Sequence, residues 1–145
     1  MVNKLLLLCA LLIATNTPFA NDKCTEGSEF EPALCPIRLP EITAIQIQEN
    51  GAKAAASQDQ NVDCSDFKLD AKQVQRFFSL AMEADERDAH YTLDWSPCYA
   101  SGTLTFADGK TAHWSINRFR TGTLAIDDVT RMFLYCPKCD FKPFQ

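Results

Sequence analysis

The chain has 145 residues, 14 Lys and Arg against 19 Asp and Glu, a formal charge of −5 and 46% hydrophobic residues. That mixture is too apolar for a disordered chain and too charged for a bundle of membrane helices, and the length suits one domain. The acidic excess argues against nucleic acid as a partner, since phosphate binding needs a basic surplus.

Met1–Lys4 carries one positive charge, Leu5–Ala14 is apolar throughout, and Thr15–Ala20 is short and small or polar. That order is the signature of a secretory signal peptide. A bilayer span needs roughly 20 apolar residues, so this run is too short for a stable transmembrane helix. The expected cleavage is after Ala20, within several residues because Pro18 sits where a small residue is usual. Cys9 follows Leu8 and Cys24 follows Lys23, so neither lies in a lipoprotein box. The expected product is periplasmic or secreted, without a membrane anchor. Losing Met1–Ala20 removes Lys4, which takes the charge from −5 to −6, and Cys9, which leaves six of the seven cysteines.

Those six are Cys24, Cys35, Cys64, Cys98, Cys136 and Cys139. An even count in a small exported chain implies a disulfide framework, and six cysteines allow fifteen pairings. The preferred set is Cys24–Cys35, Cys64–Cys98 and Cys136–Cys139. The first closes a Pro-rich segment with little else to order it. The second clamps the approach to a helix against the start of a sheet. Cys136-Pro-Lys-Cys139 has two sharper alternatives, a redox centre or half of a zinc site. A redox centre wants a helix N-terminus behind it to stabilise a thiolate, and only Asp140–Gln145 follow. A zinc site needs two further ligands from Cys, His90 or His113. A structural disulfide is therefore expected.

The mature chain begins with residues 21–40, which hold Pro32, Pro36 and Pro40 and predict an irregular, disulfide-held arm. Residues 41–145 then form the expected domain. Glu41–Gln48 alternates and predicts a half-buried strand. Asn50-Gly51 predicts a turn and Ala52–Asn61 a loop. Asp70 with Gln73 three residues on makes a capping box, with Leu69 and Val74 placed as a hydrophobic staple. Val74, Phe77, Phe78, Ala81 and Ala84 recur at three and four and predict one helix from about Ala71 to Arg87.

Asp94–Arg118 predicts a hairpin whose register is arguable. A three-residue loop Ala107-Asp108-Gly109, a type I turn closed by a left-handed glycine, pairs Phe106 with Lys110, Leu104 with Ala112, Gly102 with Trp114 and Ala100 with Ile116. All apolar residues then share one face, whereas a two-residue loop scatters them. After a bend at Arg118–Gly122, Thr123–Ile126 and Thr130–Cys136 predict two more strands, with a turn at Asp127-Asp128. The expected fold is α+β: one amphipathic helix on a curved antiparallel sheet of about four to five strands.

Chemistry is harder to find. No phosphate-binding glycine loop and no Gly-x-Ser-x-Gly elbow occurs, and no cofactor or metal is expected. His113 reads as an exposed strand residue and His90 as a helix-end residue. The run Glu83, Asp85, Glu86 and Asp88 crowds the C-terminus of the expected helix, where acidic charge opposes the macrodipole, so Glu83 and Glu86 become candidate partner contacts. Arg118-Phe119-Arg120, an aromatic between guanidiniums at a bend, has an interface-like composition. Tyr91, Trp95 and Tyr99 belong to the same wet aromatic surface or to a sheet edge. The expected function is an exported non-catalytic binding protein, of inhibitor or immunity type, acting on a basic partner enzyme in a bacterial periplasm. The alternative is a thiol–disulfide or metal-dependent accessory protein using Cys136 and Cys139.

Overall fold

The computed structural model describes residues 23–59 and 61–145. The expected leader, Met1–Ala20, lies outside the described residues. Among those described, seven strands form one antiparallel sheet: β1 (Leu34–Pro36), β2 (Ile42–Lys53), β3 (Met82–Ala84), β4 (Cys98–Phe106), β5 (Thr111–Asn117), β6 (Thr121–Ala125) and β7 (Arg131–Tyr135). Their order across the sheet is β1-β3-β7-β6-β5-β4-β2. Two short helices accompany it, α1 (Ala71–Leu80) and α2 (Glu86–Tyr91). The molecule is therefore mostly sheet. The α+β expectation of one long helix on four to five strands is overturned.

The correction centres on residues 71–91. Asp70 caps α1 as expected, its carboxylate accepting from the Gln73 N–H at 2.8 Å while the Gln73 side chain accepts from the Asp70 N–H at 2.8 Å. Leu69 and Val74 are both in the core. The helix stops at Leu80, however, because Ala81 turns extended, with φ −67° and ψ 151°. Met82–Ala84 then pair with Tyr135–Phe133 of β7 on one side and with Pro36–Leu34 of β1 on the other. Ala81 and Ala84 fit helical spacing, but tertiary strand pairing on two sides outcompetes that local pattern. Asp85 next caps α2, its carboxylate accepting from the Arg87 N–H at 2.9 Å.

Two further expectations shift. The arm at residues 21–40 contains β1 and is thereby part of the sheet rather than wholly irregular. The first long strand runs on to Lys53, with Asn50-Gly51 inside it as a register shift against β4 rather than as a turn. The Asn50 side chain explains the continuation. Its amide donates to the Leu69 carbonyl at 2.9 Å and its oxygen accepts from the Leu69 N–H at 2.8 Å, imitating a strand pair.

The β4–β5 hairpin has the expected register. Leu104 faces Ala112, Gly102 faces Trp114 and Ala100 faces Ile116. The Phe106 N–H donates to Lys110 at 2.9 Å, and Gly109 has φ +83°, the left-handed value that the bulged turn demands. Alternation then sorts the sheet into two faces. Leu104, Trp114, Ile116, Leu124 and Leu134 are buried with Val74, Phe77 and Phe78 of α1 in one core. Phe144 from the C-terminal segment joins them, with its ring centroid 5.8 Å from that of Phe67 and 5.9 Å from that of Phe77.

Three disulfides staple this arrangement: Cys24–Cys35, Cys64–Cys98 and Cys136–Cys139, the set that the sequence favours. They tie the arm beside β1, the loop before α1 to the start of β4, and the segment after β7. No helix among the described residues is long and apolar enough to cross a membrane.

Candidate functional site

The face of the sheet opposite α1 carries Tyr99, Ser101 and Thr103 from β4, His113 and Ser115 from β5, Thr123 from β6 and Phe133 from β7. Short α2 lies over this face, held by its contacts to β7 and by an edge-on packing of His90 against Phe133, with centroids 5.3 Å apart. Two grooves open here and share Phe133 as a wall.

The first groove, of about 800 Å³, lies between the first turn of α2 and the β6–β7 loop. Glu86, Asp127 and Asp128 line it, against the single guanidinium of Arg131 and the imidazole of His113. The loop has a built shape. The Asp127 carboxylate accepts from the Val129 N–H at 2.9 Å and from the Thr130 hydroxyl at 3.2 Å, and also from the Thr130 N–H. The Thr130 and Val129 N–H groups, with the Thr130 hydroxyl, hold the Asp127 carboxyl below the usual carboxylate range. At the tip Val129 is 93% exposed, an apolar side chain presented to solvent between carboxylates.

The second groove, of about 520 Å³, crosses β4, β5 and β6. Ser115 and Thr123, register partners, lie in it, with Trp95 and Tyr99 among its aromatic lining. Glu49 of β2 fixes the Tyr99 side: its carboxylate accepts from the Tyr99 hydroxyl at 3.0 Å and from the Ser101 hydroxyl at 2.8 Å. Burial first, then the hydrogen bond to Glu49, pushes the Tyr99 phenol above its usual range.

The candidates from sequence fall in different places. Glu86 reaches the acidic groove. Glu83 does not: it is half-buried in β3, opposite Cys35 and Leu134. The acidic run does not crowd a helix C-terminus. Asp85 is the cap of α2, and Glu86 and Asp88 stand in its first turn, where the dipole favours them. Its charge placement is thus a helix-start signal, and the argument from a broken rule falls away. His90 sits in the last turn of α2, 4.0 Å from Glu86.

Arg118 and Arg120 are engaged inside the fold. The Arg118 guanidinium donates to the Asp63 carbonyl at 2.9 Å and pairs with Asp66, bracing the β5–β6 turn against the Cys64 loop. Arg120, at φ +66°, donates to the carbonyls of Gln145 at 3.1 Å and Pro137 at 3.3 Å. Phe119 and Arg120 line a separate groove of about 670 Å³ beside the arm, with Phe30 and Glu31. The structure does not bring this trio together with Glu86.

Cys136 and Cys139 are both fully buried in their mutual bond. Thiol–disulfide exchange requires a nucleophile to reach a sulfur, which that burial denies. Among the described residues no three His, Cys, Asp or Glu side chains converge as a metal-binding group. Sequence reasoning reads Asp127 and Asp128 only as a turn and gives Val129 no role. It also missed Ser115 and Thr123, whose signal was the polar alternation of β5 and β6. The chain matches no protein-family model, no curated protein and no solved structure.

Proposed function

We propose that this chain is an exported, non-catalytic binding protein that docks a basic partner protein on the acidic end of its open sheet face. The observation that carries the reading is that three carboxylates, Glu86, Asp127 and Asp128, line one groove against the single guanidinium of Arg131, beside a hydrogen-bonded loop that projects Val129. A basic side chain entering between these carboxylates gains charge-assisted hydrogen bonds, while Val129 offers apolar contact at the same point. Because the loop is braced by Asp127 before any partner arrives, little ordering entropy opposes docking. The acidic net charge steers a basic partner and makes the encounter salt-sensitive. The leader-like N-terminus and three disulfides support export. An inhibitor or immunity role fits a rigid surface of this kind.

The test compares two baits, the wild-type protein and the triple variant Glu86→Gln, Asp127→Asn, Asp128→Asn, in extracellular or periplasmic extract of the host. The expected result is a basic protein retained by the wild type at low salt, released at high salt and absent from the variant. Identical retained proteins on both baits would overturn the reading.

A further inference from the structure

We infer that the second groove, across β4, β5 and β6, binds one uncharged sugar ring. Its lining contains no Asp, Glu, Lys or Arg, and its one imidazole, His90, is packed against Phe133 and lies 4.0 Å from Glu86. A phosphate or a carboxylate would find there only an imidazole already facing Glu86, and an ammonium would find no carboxylate in the lining, so a neutral occupant fits best. Its volume of about 520 Å³ is in the range of small-molecule sites.

The chemistry of the lining narrows the class. Ser115 and Thr123 stand side by side on adjacent strands, and their hydroxyls make no hydrogen bond to other described residues. Each is a free donor and acceptor, the pairing that a sugar hydroxyl satisfies in both directions. Beside them Asn117 is already committed, donating to the Thr121 hydroxyl and accepting from the Phe119 N–H at 2.9 Å. The aromatic lining is Trp95, 59% exposed, with Tyr99 and Phe133. A pyranose has this same division, an apolar C–H face and a rim of hydroxyls, and the electron-rich face of an indole attracts the polarised C–H bonds.

An extended peptide fits less well. Peptides that bind sheets by strand addition use an open edge. This groove lies over interior strands, where β5 is paired on both sides, to β4 and to β6, and its backbone groups are spent in the ladders. Glu49 holds Tyr99 in place beforehand, so that wall is set without the ligand.

The proposal is independent of the protein-docking reading, and its test separates the two. The full disulfide-bonded protein is titrated with methyl glucoside, methyl N-acetylglucosaminide, the disaccharides maltose and chitobiose, glucose 6-phosphate and an uncharged tripeptide. Backbone amide shifts and tryptophan fluorescence are followed. Trp114 is buried, so a fluorescence change reports Trp95. The expected result is saturable shifts centred on Ser115, Thr123 and Trp95 with at least one neutral saccharide, and weaker binding by the phosphorylated sugar. Trp95→Ala weakens that binding tenfold or more, and Ser115→Ala weakens it several-fold with the remaining amide spectrum unchanged. The triple variant of the acidic groove binds the saccharide as the wild type does. Silence with every neutral saccharide, a response to the tripeptide alone, or equal binding by Trp95→Ala and Ser115→Ala overturns the proposal.

Discussion

Glu49 and Tyr99 are joined across β2 and β4 by a hydrogen bond of 3.0 Å, the phenol donating to the carboxylate. This pair links the edge strand to the rim of the neutral groove. Replacing Glu49 by Gln removes the charge that disfavours the phenolate and brings the Tyr99 pKa down toward its ordinary value. In the wild type the raised pKa contributes stability that is full below the pKa of an unfolded tyrosine and is lost as pH rises through the folded value. A spectrophotometric phenol titration of wild type and Glu49→Gln checks this. Superimposable curves would contradict the structural role given to Glu49.

At Gly102 the β2 backbone passes tightly against the hairpin. A Cβ there would stand 1.9 Å from the Gln46 carbonyl oxygen and 3.0 Å from the Trp114 ring. Gly102→Ala must therefore push β2 outward or tilt Trp114, and overpacking of this kind costs about 1–3 kcal/mol. Thermal melting should show a clear loss of Tm. An unchanged Tm would mean that β2 is not seated as described.

The Cys64–Cys98 bond closes a loop with a sequence separation of 34 residues. Its removal by Cys64→Ala with Cys98→Ala should cost about 3–4 kcal/mol in the chain-entropy model. Denaturant unfolding measures this directly. A loss well under 1 kcal/mol would show that the Arg118 contacts to Asp63 and Asp66 already hold the same segment.

The shape of the β6–β7 loop depends on the Asp127 carboxylate. Its folded pKa is depressed, so the ion's contribution is complete above the usual aspartate range and disappears only as pH falls through the lower folded value. Amide shifts of Val129 and Thr130 should stay constant from neutral pH down to that range and move below it. In Asp127→Ala they should resemble a flexible chain at every pH. Wild-type shifts for Val129 and Thr130 in Asp127→Ala at neutral pH would contradict the assignment.

How much of this was readable from sequence depends on whether the determinant is local. The capping box at Asp70 and Gln73 and the bulged turn ending in Gly109 are fixed by neighbours three residues apart, and both were legible. The β4–β5 register was legible too, because alternation on both strands admits one pairing that buries Trp114 over Gly102. The break of the helix at Ala81 was not. Met82–Ala84 become a strand only because β7 and β1, distant in sequence, supply partners on both sides. That misplaced boundary also inverted the reading of Asp85, Glu86 and Asp88, which begin a helix instead of ending one. The acidic groove was half visible: Glu86 stood out, but Asp127 and Asp128 reach it only through the sheet order. Arg118 and Arg120 looked like surface anchors because their partners, the carbonyls of Asp63, Pro137 and Gln145 and the carboxylate of Asp66, are either backbone groups that composition cannot reveal or a side chain 52 residues away.

The most direct measurement of the docking account is zero-length carbodiimide cross-linking of the protein to the basic partner captured at low salt, read by mass spectrometry. The account predicts amide bonds from partner lysines to Glu86, Asp127 and Asp128. Cross-links confined to Glu26, Glu29 and Glu31 of the arm, with none at the β6–β7 loop, would contradict it.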